Sequence, residues 1–449
     1  MTSIMHRSKN FMQGLVAQPT TILIQLFIFI LISCEKPSTN TSKDPEKPES
    51  ASPNILLVIA DDMGKDAFPN YPEGKEKPQL PTLNNLMAGG ITFDNFWTYS
   101  VCSPTRASIL TGKLGYHTGV MEVEQDISLN EESLHSFLKD QTNGSYDTAL
   151  IGKWHLSNTV TDPNSMGVDY YSGILGGGVS SYTNWNRVTN GERERVDTYT
   201  TTEFSNQAVQ WISQRNKPWF LWLAYNAPHT PFHLAPTNLH SQGNLSEDEA
   251  MIEENPLPYY FSAIEAIDTE LGRVIESIPN GLENTIVIFL GDNGTPGQVV
   301  QSPYRTRRAK GSIFQGGINV PLVISGVGVT RTGDREDALI QSTDLFTTIA
   351  QMAGSHISVK HNSESFYPLL RGTDVDSRAY VYAEKSTNGN VSYTVRNTQY
   401  KLIVDADGTE SVYDLKNDPY ERSNLLVDAS PSINEVRNIL FQEALQIRK

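Results

Sequence analysis

Short apolar runs that alternate with amphipathic segments are the feature that most limits how this chain can fold. The runs lie at residues 55–60, 148–151, 219–225, 285–290 and 321–325. Helical periodicity predicts helices at residues 134–139, 203–214, 260–278 and 343–353. Buried strands that alternate with helices are typical of an α/β fold, so we expect a large mixed, mainly parallel sheet flanked by helices.

The pattern changes after about residue 370. Strand candidates follow at residues 391–395, 400–404 and 411–415. The dipeptide Asp407-Gly408 favours a turn, and the strands around it predict an antiparallel sheet. A terminal helix is expected at residues 433–446. We therefore predict a large α/β domain over residues 54–370 and a small C-terminal subdomain over residues 371–449.

Residues 1–33 have the pattern of a bacterial signal peptide. The apolar run at residues 21–32 follows two basic residues and is too short to span a bilayer comfortably. It ends in Leu31-Ile32-Ser33-Cys34, which resembles the lipobox, the motif at which the signal peptide is removed and the cysteine is lipidated. The alternative is an ordinary signal peptide with an incidental cysteine.

Residues 34–53 are rich in proline, serine, lysine and glutamate, which is typical of a solvated tether. We therefore expect an exported protein that the lipid on Cys34 holds at a bacterial membrane, on the cell surface or in the periplasm. No other contact with the membrane is expected.

The formal net charge of −16 limits the partners of this chain. It disfavours nucleic acid, because phosphate binding needs a basic face. An anionic substrate would need a local basic patch, since the overall field repels it.

Polar residues follow four of the five predicted strands. In chain order they are Asp61-Asp62, Lys153 with His155, His229, and Asp292-Asn293. The fifth strand ends at Gly326 and delivers no charge. Ligands of open α/β sheets bind at the carboxyl ends of the strands, so we expect these side chains to meet at one edge. Each acidic pair alone is explained equally well by helix capping, and each histidine alone is better explained as structural.

Three carboxylates and one amide oxygen at that edge would form a site made only of oxygen ligands. Such a set suits Ca²⁺ or Mg²⁺, whereas zinc calls for histidine or cysteine. The sequence therefore predicts a hard divalent cation near Asp61, Asp62, Asp292 and Asn293.

The most specific motif is Val101-Cys102-Ser103-Pro104-Thr105-Arg106, with Thr111-Gly112 after it. It resembles the signature of the formylglycine-dependent sulfatases of the type I, arylsulfatase-like group, which is Cys-x-Pro-x-Arg and then Thr-Gly. The acidic pairs, the Lys and His residues named above and Lys310-Gly311 all stand in the order of that family. The resemblance covers nearly the whole mature chain.

This resemblance implies that a maturation enzyme oxidises Cys102 to formylglycine (3-oxoalanine), whose hydrate is the nucleophile. It implies one cation, Ca²⁺ in preference to Mg²⁺, held by Asp61, Asp62, Asp292 and Asn293 together with residue 102. The cation would lower the pKa of one hydrate hydroxyl and polarise a sulfate oxygen.

The resemblance also implies roles for five further residues. Arg106 would orient and stabilise the hydrate, and Lys153 and Lys310 would hold the sulfate oxygens. His229 would protonate the leaving alcohol, and His155 would assist the collapse that expels sulfate and regenerates the aldehyde. The implied enzyme is a sulfuric ester hydrolase, and the export pattern suggests a sulfated poly- or oligosaccharide as substrate.

Two residues depart from the family pattern, Gln315 and Asn319, where many relatives have Glu and Arg. Neither is a core catalytic position. Arg305, Arg307 and Arg308 precede Lys310 and could grip further anionic groups of a polymer, although a solvated loop is an equal alternative. Further candidates to line a sugar site are Trp97, Tyr99, His117 and His233.

Two other functions stay open. One is a formylglycine-dependent phosphodiester or phosphonate monoester hydrolase, and assays with sulfate and phosphate esters side by side would separate it from a sulfatase. The other is a carbohydrate-binding surface lipoprotein without turnover. Binding alone would not need Cys102, which argues against the second.

Overall fold

The computed structural model describes residues 52–373 and 378–449. The predicted signal peptide, Cys34 and most of the predicted tether lie outside the described residues. Among the described residues, no helix is long and apolar enough to cross a lipid bilayer.

A ten-stranded sheet forms the centre of the fold. Its strands in chain order are β1 (Asn54–Ala60), β2 (Gly90–Phe93), β3 (Asp147–Lys153), β4 (Tyr170–Ile174), β5 (Trp185–Thr189), β6 (Glu192–Val196), β7 (Trp219–Ala224), β8 (Thr285–Gly291), β9 (Leu322–Gly326) and β10 (Asp334–Glu336). Their order across the sheet is β10-β2-β9-β8-β1-β7-β3-β4-β5-β6. The five adjacent strands from β8 to β4 are parallel. In contrast, β9 is antiparallel to both its neighbours, and the β5–β6 hairpin adds antiparallel strands at the other end.

The helices lie between these strands and after them. They are α1 (Pro81–Ala88), α2 (Cys102–Thr111), α3 (Gly115–Thr118), α4 (Leu134–Gln141), α5 (Asp162–Ser165), α6 (Thr200–Ser213), α7 (Glu249–Glu254), α8 (Leu257–Ser277), α9 (Gln315–Ile318), α10 (Leu345–Met352) and α11 (Pro431–Ile447). Short 3₁₀ turns occur at Lys65–Ala67, Gly281–Glu283, Thr306–Arg308, Ser342–Asp344 and Tyr367–Arg371.

The C-terminal part forms a separate antiparallel sheet of four strands. These are β11 (Val381–Thr387), β12 (Asn390–Arg396), β13 (Tyr400–Val404) and β14 (Glu410–Asp414), paired in chain order. Helix α11 covers this sheet, and Leu440 and Ala444 of the helix join Val395 and Leu402 in one apolar cluster. Two-residue strands pair Phe96–Trp97 with Ile340–Gln341 and Val359–Lys360 with Ser363–Glu364.

The central strands of the large sheet are buried on both faces. In β1, Ile55, Leu57 and Ile59 point into one apolar core, and Leu56 and Val58 point into the other. Successive side chains of a strand point to opposite faces, so a strand buried on both sides is a continuous apolar run. This is why the apolar runs identify the central strands.

The predicted fold class is confirmed: the sheet is mixed and mostly parallel, and an antiparallel C-terminal sheet with a terminal helix follows it. The proposed domain boundary near residue 370 stays a prediction. One expectation was wrong. Because β9 runs antiparallel to β8, Gly326 lies at the opposite edge of the sheet from Asp292, and its lack of charge says nothing about the polar edge.

Candidate active site

The carboxyl ends of β1, β7, β8 and β3 lie at one edge of the sheet, because these strands are parallel and adjacent. Asp61 and Asp62 follow β1, and Asp292 and Asn293 follow β8. The register of β1 and β8 pairs Ala60 with Gly291, so the two acidic pairs leave the sheet side by side. All four polar side chains are buried.

The three carboxylates converge. Asp61, Asp62 and Asp292 each offer an oxygen, and these oxygens lie within 4.8 Å of one another. The backbone of Asp62 is left-handed, with a φ of 74°, and its N–H donates to Asp292 Oδ1 over 3.0 Å. Left-handed backbone is costly for any residue except glycine, and it persists where the surrounding contacts fix it, often at functional sites.

Two buried oxygens of this group fit a cation. Asn293 Nδ2 donates to Asp62 Oδ1 over 2.7 Å. Within residues 52–373 and 378–449, neither Asn293 Oδ1 nor Asp61 Oδ1 has a hydrogen-bond partner. A buried polar atom is normally paired, so an unpaired one calls for a partner such as an ion. Because every oxygen here comes from a carboxylate or an amide, the residues fit a hard divalent cation.

Two lysines form ion pairs with carboxylates of this cluster. Lys153 Nζ lies 2.5 Å from Asp61 Oδ2, and Lys310 Nζ lies 2.6 Å from Asp62 Oδ2. Burial alone would lower the pKa of both lysines, but the nearby carboxylates raise it above the ordinary value. Both ammonium groups therefore stay charged and can neutralise an anionic substrate.

Helix α2 carries the motif cysteine and arginine. It begins at Cys102 and is buried along its length. Arg106 is four residues further on, and residues at this spacing share one face of a helix. Its guanidinium donates to the Lys153 carbonyl over 2.9 Å and to Asp292 Oδ2 over 2.8 Å. The Cys-x-Pro-x-Arg spacing thus places both side chains against the acidic cluster.

The Cys102 side chain lies inside this cluster. Its sulfur, one Asp61 oxygen and one His229 nitrogen lie within 4.8 Å of one another. Burial, with the nearby charge of Asp61, raises the pKa of the Cys102 thiol to about 12, although Lys153 and Lys310 act in the opposite direction. The unmodified thiol is therefore protonated at neutral pH and is a weak nucleophile.

His229 presents its Nε2 atom to the cluster. Its Nδ1 lies 2.8 Å from the Thr230 carbonyl, and because a carbonyl only accepts hydrogen bonds, Nδ1 carries the hydrogen. Nε2 lies 3.8 Å from Asp62 Oδ2. The Tyr182 hydroxyl donates to the His229 carbonyl over 2.5 Å and fixes the backbone there.

His155 follows β3 in a left-handed conformation, with a φ of 56°. Its Nε2 lies 2.9 Å from Glu124 Oε1. Burial, followed by the charges of Lys153 and Arg106, lowers the pKa of His155 to about 2. The imidazole is therefore neutral near physiological pH.

All the catalytic and metal-binding candidates of the sequence analysis meet in this one cluster. It contains Asp61, Asp62, Cys102, Arg106, Lys153, His155, His229, Asp292, Asn293 and Lys310. Their individual roles stay predictions, as does the modification of Cys102.

Sequence reasoning missed two neighbours of the catalytic histidines. One is Glu124, because a single glutamate in a loop has no distinctive pattern. The other is the glycine run Gly176–Gly178, which is visible in the sequence as three consecutive glycines. A Cβ atom on Gly177 would lie 2.7 Å from His155 Nε2, and one on Gly178 would lie 3.3 Å from His229 Nδ1. The backbone there approaches both imidazoles closely, which requires glycine at position 177.

The three arginines before Lys310 separate into two kinds. Arg305 and Arg307 are exposed. Arg308 lies over the Phe314 ring at 4.3 Å and donates to the Glu421 carbonyl, so it ties this loop to the C-terminal part of the chain. A substrate-binding role for the three stays a prediction.

The other candidates for a sugar site are mostly structural. Trp97 and Tyr99 are 1% and 2% exposed and pack in apolar clusters, so their contact with a sugar stays a prediction. His117 hydrogen-bonds to Asn362 through Nδ1 over 2.8 Å. His233 stacks on Tyr182 with ring centroids 3.7 Å apart, and both line a surface cavity.

Two surface cavities are lined by residues that follow the catalytic histidines in the chain. The larger, about 700 Å³, is lined by Ser180–Thr183 and Thr230–Leu234, together with Glu247, Glu249 and Glu253. The smaller, about 240 Å³, is lined by the glycine run and by Arg193 and Arg195 of the β6 strand. The Asn190-Gly191 dipeptide at the turn of this hairpin could have identified it from sequence. The two cavities thus carry charges of opposite sign.

The loop that carries Lys310 is held by the C-terminal sheet. Lys401 Nζ lies 2.5 Å from Glu421 Oε1 and donates to the Ile313 carbonyl over 2.7 Å. Glu421 Oε2 accepts from the Gln315 N–H over 2.7 Å. Lys401 and Glu421 are both buried, so this pair fixes the loop firmly. Gln315, one of the two departures from the family pattern, takes part through its backbone.

Comparison with known proteins agrees with this geometry. A family model described as sulfatase matches residues 53–355. A second, described as the C-terminal part of N-sulphoglucosamine sulphohydrolase, matches residues 309–449.

The relatives cover most of the chain at low identity. The uncharacterized sulfatase YdeN of Escherichia coli is 25% identical over 88% of this chain and 86% of its own length. The N-acetylglucosamine-6-O-sulfatase of Bacteroides thetaiotaomicron is 23% identical over 93% of this chain and 89% of its own. The crystal structure of Ps i-CgsB in complex with k-i-k-neocarrahexaose has a TM-score of 0.76 at 23% identity, covering 88% of this chain and 92% of the other.

The first family model covers well over half of the chain and includes every residue of the cluster. The fold agrees with that of solved sulfatases. The chain therefore belongs to the sulfatase family and is a hydrolase of sulfate esters.

Proposed function

We propose that this sulfatase removes sulfate from a sulfated poly- or oligosaccharide, with a formylglycine made from Cys102 and one bound Ca²⁺. The observation that carries the proposal is the cluster itself: a buried cysteine at a helix start, three converging carboxylates, three cationic side chains and two imidazoles lie close together. A binding protein would need neither the cysteine nor the two histidines.

The cation would be held by Asp61, Asp62, Asp292 and Asn293, whose oxygens include the two unpaired ones described above. When bound, it would supply positive charge that polarises a sulfate oxygen and acidifies a hydroxyl on residue 102. Calcium is favoured because several side chains each offer an oxygen, whereas Mg²⁺ usually keeps several waters and takes only one or two carboxylates.

Side chains of the cluster would bind the sulfate group, position residue 102 and transfer the proton. Lys153 and Lys310 hold the sulfate oxygens and offset the charge that grows on them. Arg106 keeps residue 102 in place from the next turn of α2. His229 donates its Nδ1 hydrogen to the Thr230 carbonyl. Its Nε2 atom, when protonated, can therefore donate a proton to the leaving alcohol.

The carbohydrate part of the proposal has two supports. Relatives of similar length carry names that specify sulfated sugars, and one solved structure holds a carrageenan-type oligosaccharide. In addition, two cavities, lined in part by Gly178 and by Thr230, are each much larger than a single sulfate group, which suits neighbouring sugar units.

Export with a lipid anchor on Cys34 remains part of the proposal, and it rests on the sequence alone. The decisive experiment is to express the chain with and without a formylglycine-generating enzyme and to quantify the aldehyde at residue 102 by mass spectrometry. We expect release of sulfate from a panel of sulfated saccharides only where the aldehyde is present. Faster turnover of phosphate or phosphonate esters than of sulfate esters would favour the phosphodiester or phosphonate hydrolase instead.

A further inference from the structure

We propose that Glu124 is a positioning residue for His155, and that it fixes the imidazole with Nδ1 as a free acceptor buried within the cluster. The inference rests on the proposed function, because His155 matters only if this cluster performs catalysis. It concerns a residue that the family motif does not include.

The first support is the hydrogen bond between the two side chains. Glu124 Oε1 lies 2.9 Å from His155 Nε2. A carboxylate only accepts hydrogen bonds, so Nε2 carries the hydrogen and Nδ1 keeps its lone pair. Within the part of the chain that the structure describes, Nδ1 is buried and has no partner. Nδ1 is therefore available to accept a proton in the reaction.

The second support is the way Glu124 is held. Its backbone is left-handed, with a φ of 60°. Gln125 Oε1 accepts from the N–H groups of Met121 and Glu122 over 2.7 and 2.9 Å, which closes a tight turn around it. A side chain presented by a constrained turn loses little entropy when it binds its partner.

This turn is anchored to the C-terminal sheet. Glu122 Oε1 accepts from the Ser386 hydroxyl over 2.5 Å and from the Gly389 N–H over 3.0 Å, at the tip of the β11–β12 hairpin. Glu124 therefore has a fixed position although its own side chain is 59% exposed. An exposed glutamate that served only as a solvated charge would not need this support.

The third support is the close packing of the glycine run against the pair. The backbone N–H of His155 donates to the Leu175 carbonyl over 2.9 Å. A Cβ atom on Gly177 would lie 2.7 Å from His155 Nε2 and 3.0 Å from Glu124 Oε1, so the glycine backbone packs against the hydrogen bond itself. This packing limits the positions that the two side chains can adopt.

A carboxylate that orients an imidazole has a known energetic effect. Loss of such a partner lowers metal affinity or activity about 10- to 100-fold in metal sites, and it lowers kcat more where the wrong tautomer results. In this enzyme, Nδ1 would take the proton of the free hydroxyl on residue 102 as that oxygen forms the C=O of the aldehyde and the C–O bond to the departing sulfate breaks. The hydrogen on Nε2 would stay there, donated to Glu124 Oε1. We therefore expect the loss to appear in kcat and not in KM.

The test uses Glu124→Gln and Glu124→Ala in the matured full-length protein, with 4-methylumbelliferyl sulfate as substrate and the aldehyde content measured for each sample. We expect kcat to fall about 10- to 100-fold with KM changed less than about 2-fold. Asp126→Asn, which removes an exposed charge two residues away, is the matched control and should leave both constants unchanged. Glu124→Asp should recover part of the rate.

A double-variant cycle separates positioning from a general structural effect. If Glu124 acts through His155, then Glu124→Ala should cause no further loss in a His155→Ala background. Additive losses, an unchanged kcat in Glu124→Gln, or an effect confined to KM would each overturn the proposal. Lack of turnover by the matured wild-type protein would instead defeat the proposed function.

Discussion

The Lys153 ammonium lies 2.5 Å from the Asp61 carboxylate, and neither side chain reaches solvent. Breaking a buried ion pair leaves one charge uncompensated, so we expect Lys153→Met to lower the free energy of unfolding by about 3–5 kcal/mol. It should also lower kcat about 10²- to 10³-fold, because one of the groups that offset charge on the sulfate is lost. Chemical denaturation and steady-state kinetics measure the two effects.

The control for this prediction is Lys113→Met. Lys113 pairs with Glu131 near the surface, where both side chains are partly exposed. An exposed pair is worth about 0–1 kcal/mol, so this variant should stay close to wild type in stability and rate. Equal losses in the two variants would contradict the importance of burial.

The second prediction concerns residue 102. Cys102→Ala should abolish turnover, because its methyl group cannot be oxidised to the aldehyde, and Cys102→Ser should do so when the maturation enzyme present oxidises cysteine and not serine. Removing one buried sulfur should cost about 1 kcal/mol of stability, so the fold survives and the melting temperature stays close to that of wild type. Residual activity near the wild-type rate in either variant would refute the proposed nucleophile.

The third prediction concerns the cation. Chelation of Ca²⁺ should abolish activity, and re-addition should restore it. A ligand that binds only the folded state at 100 times its Kd adds about 2.7 kcal/mol of stability, so calcium should raise the melting temperature. Asn293→Ala removes one unpaired oxygen and should weaken this shift, whereas Asp126→Asn should not. A melting temperature that is insensitive to calcium would contradict the site.

The fourth prediction is an acid sensitivity that originates in the core. His135 is wholly buried, stacked on Trp222, and burial lowers its pKa to about 4 from the ordinary 6.5. Because the unfolded chain takes up a proton below pH 6.5 and the folded chain does not, stability should fall by about 3 kcal/mol between pH 6.5 and 4 through this group. Below pH 4 its contribution should no longer change.

Denaturation at several pH values tests this slope. His135→Phe should flatten it, since the titrating group is gone. His356 is exposed and serves as the control, because His356→Gln should leave the slope as it is. The same slope in the His135 variant would assign the acid sensitivity to other groups.

The fifth prediction is that the substrate binds in the cavity lined by Arg193 and Arg195. If Arg193 and Arg195 bind an anionic group on a neighbouring sugar, then replacing both with Gln should raise KM for a polysulfated oligosaccharide about 10-fold or more. KM for 4-methylumbelliferyl sulfate, which has no second anionic group, should not change. Replacing the exposed Arg305 and Arg307 tests the loop suggested by sequence in the same assay.

The sequence predicted the centre of the fold well because β1 and its neighbours are buried on both faces and therefore apolar throughout. It missed β2, β4 and the β5–β6 hairpin, whose strands are short or polar. The direction of β9 was also hidden, since an antiparallel strand that is buried on both sides has the same composition as a parallel one.

Some residues of the site could also be predicted from the sequence, and others could not. Asp61, Asp292 and Lys153 could be predicted because each follows a strand at the same edge, and Cys102 because its motif is specific. Glu124 could not, because its role depends on a turn that a C-terminal hairpin holds from more than 250 residues away. Contacts between distant segments leave no local pattern in a sequence.

The burial of Cys102 affects when this residue can be modified. The thiol has no exposed surface and stands at the start of a helix that is itself enclosed. A catalyst as large as another protein cannot reach it once the sheet and helices have closed. If residue 102 is oxidised as proposed, we therefore expect the oxidation to precede folding, and a molecule that folds first should keep its thiol and stay inactive.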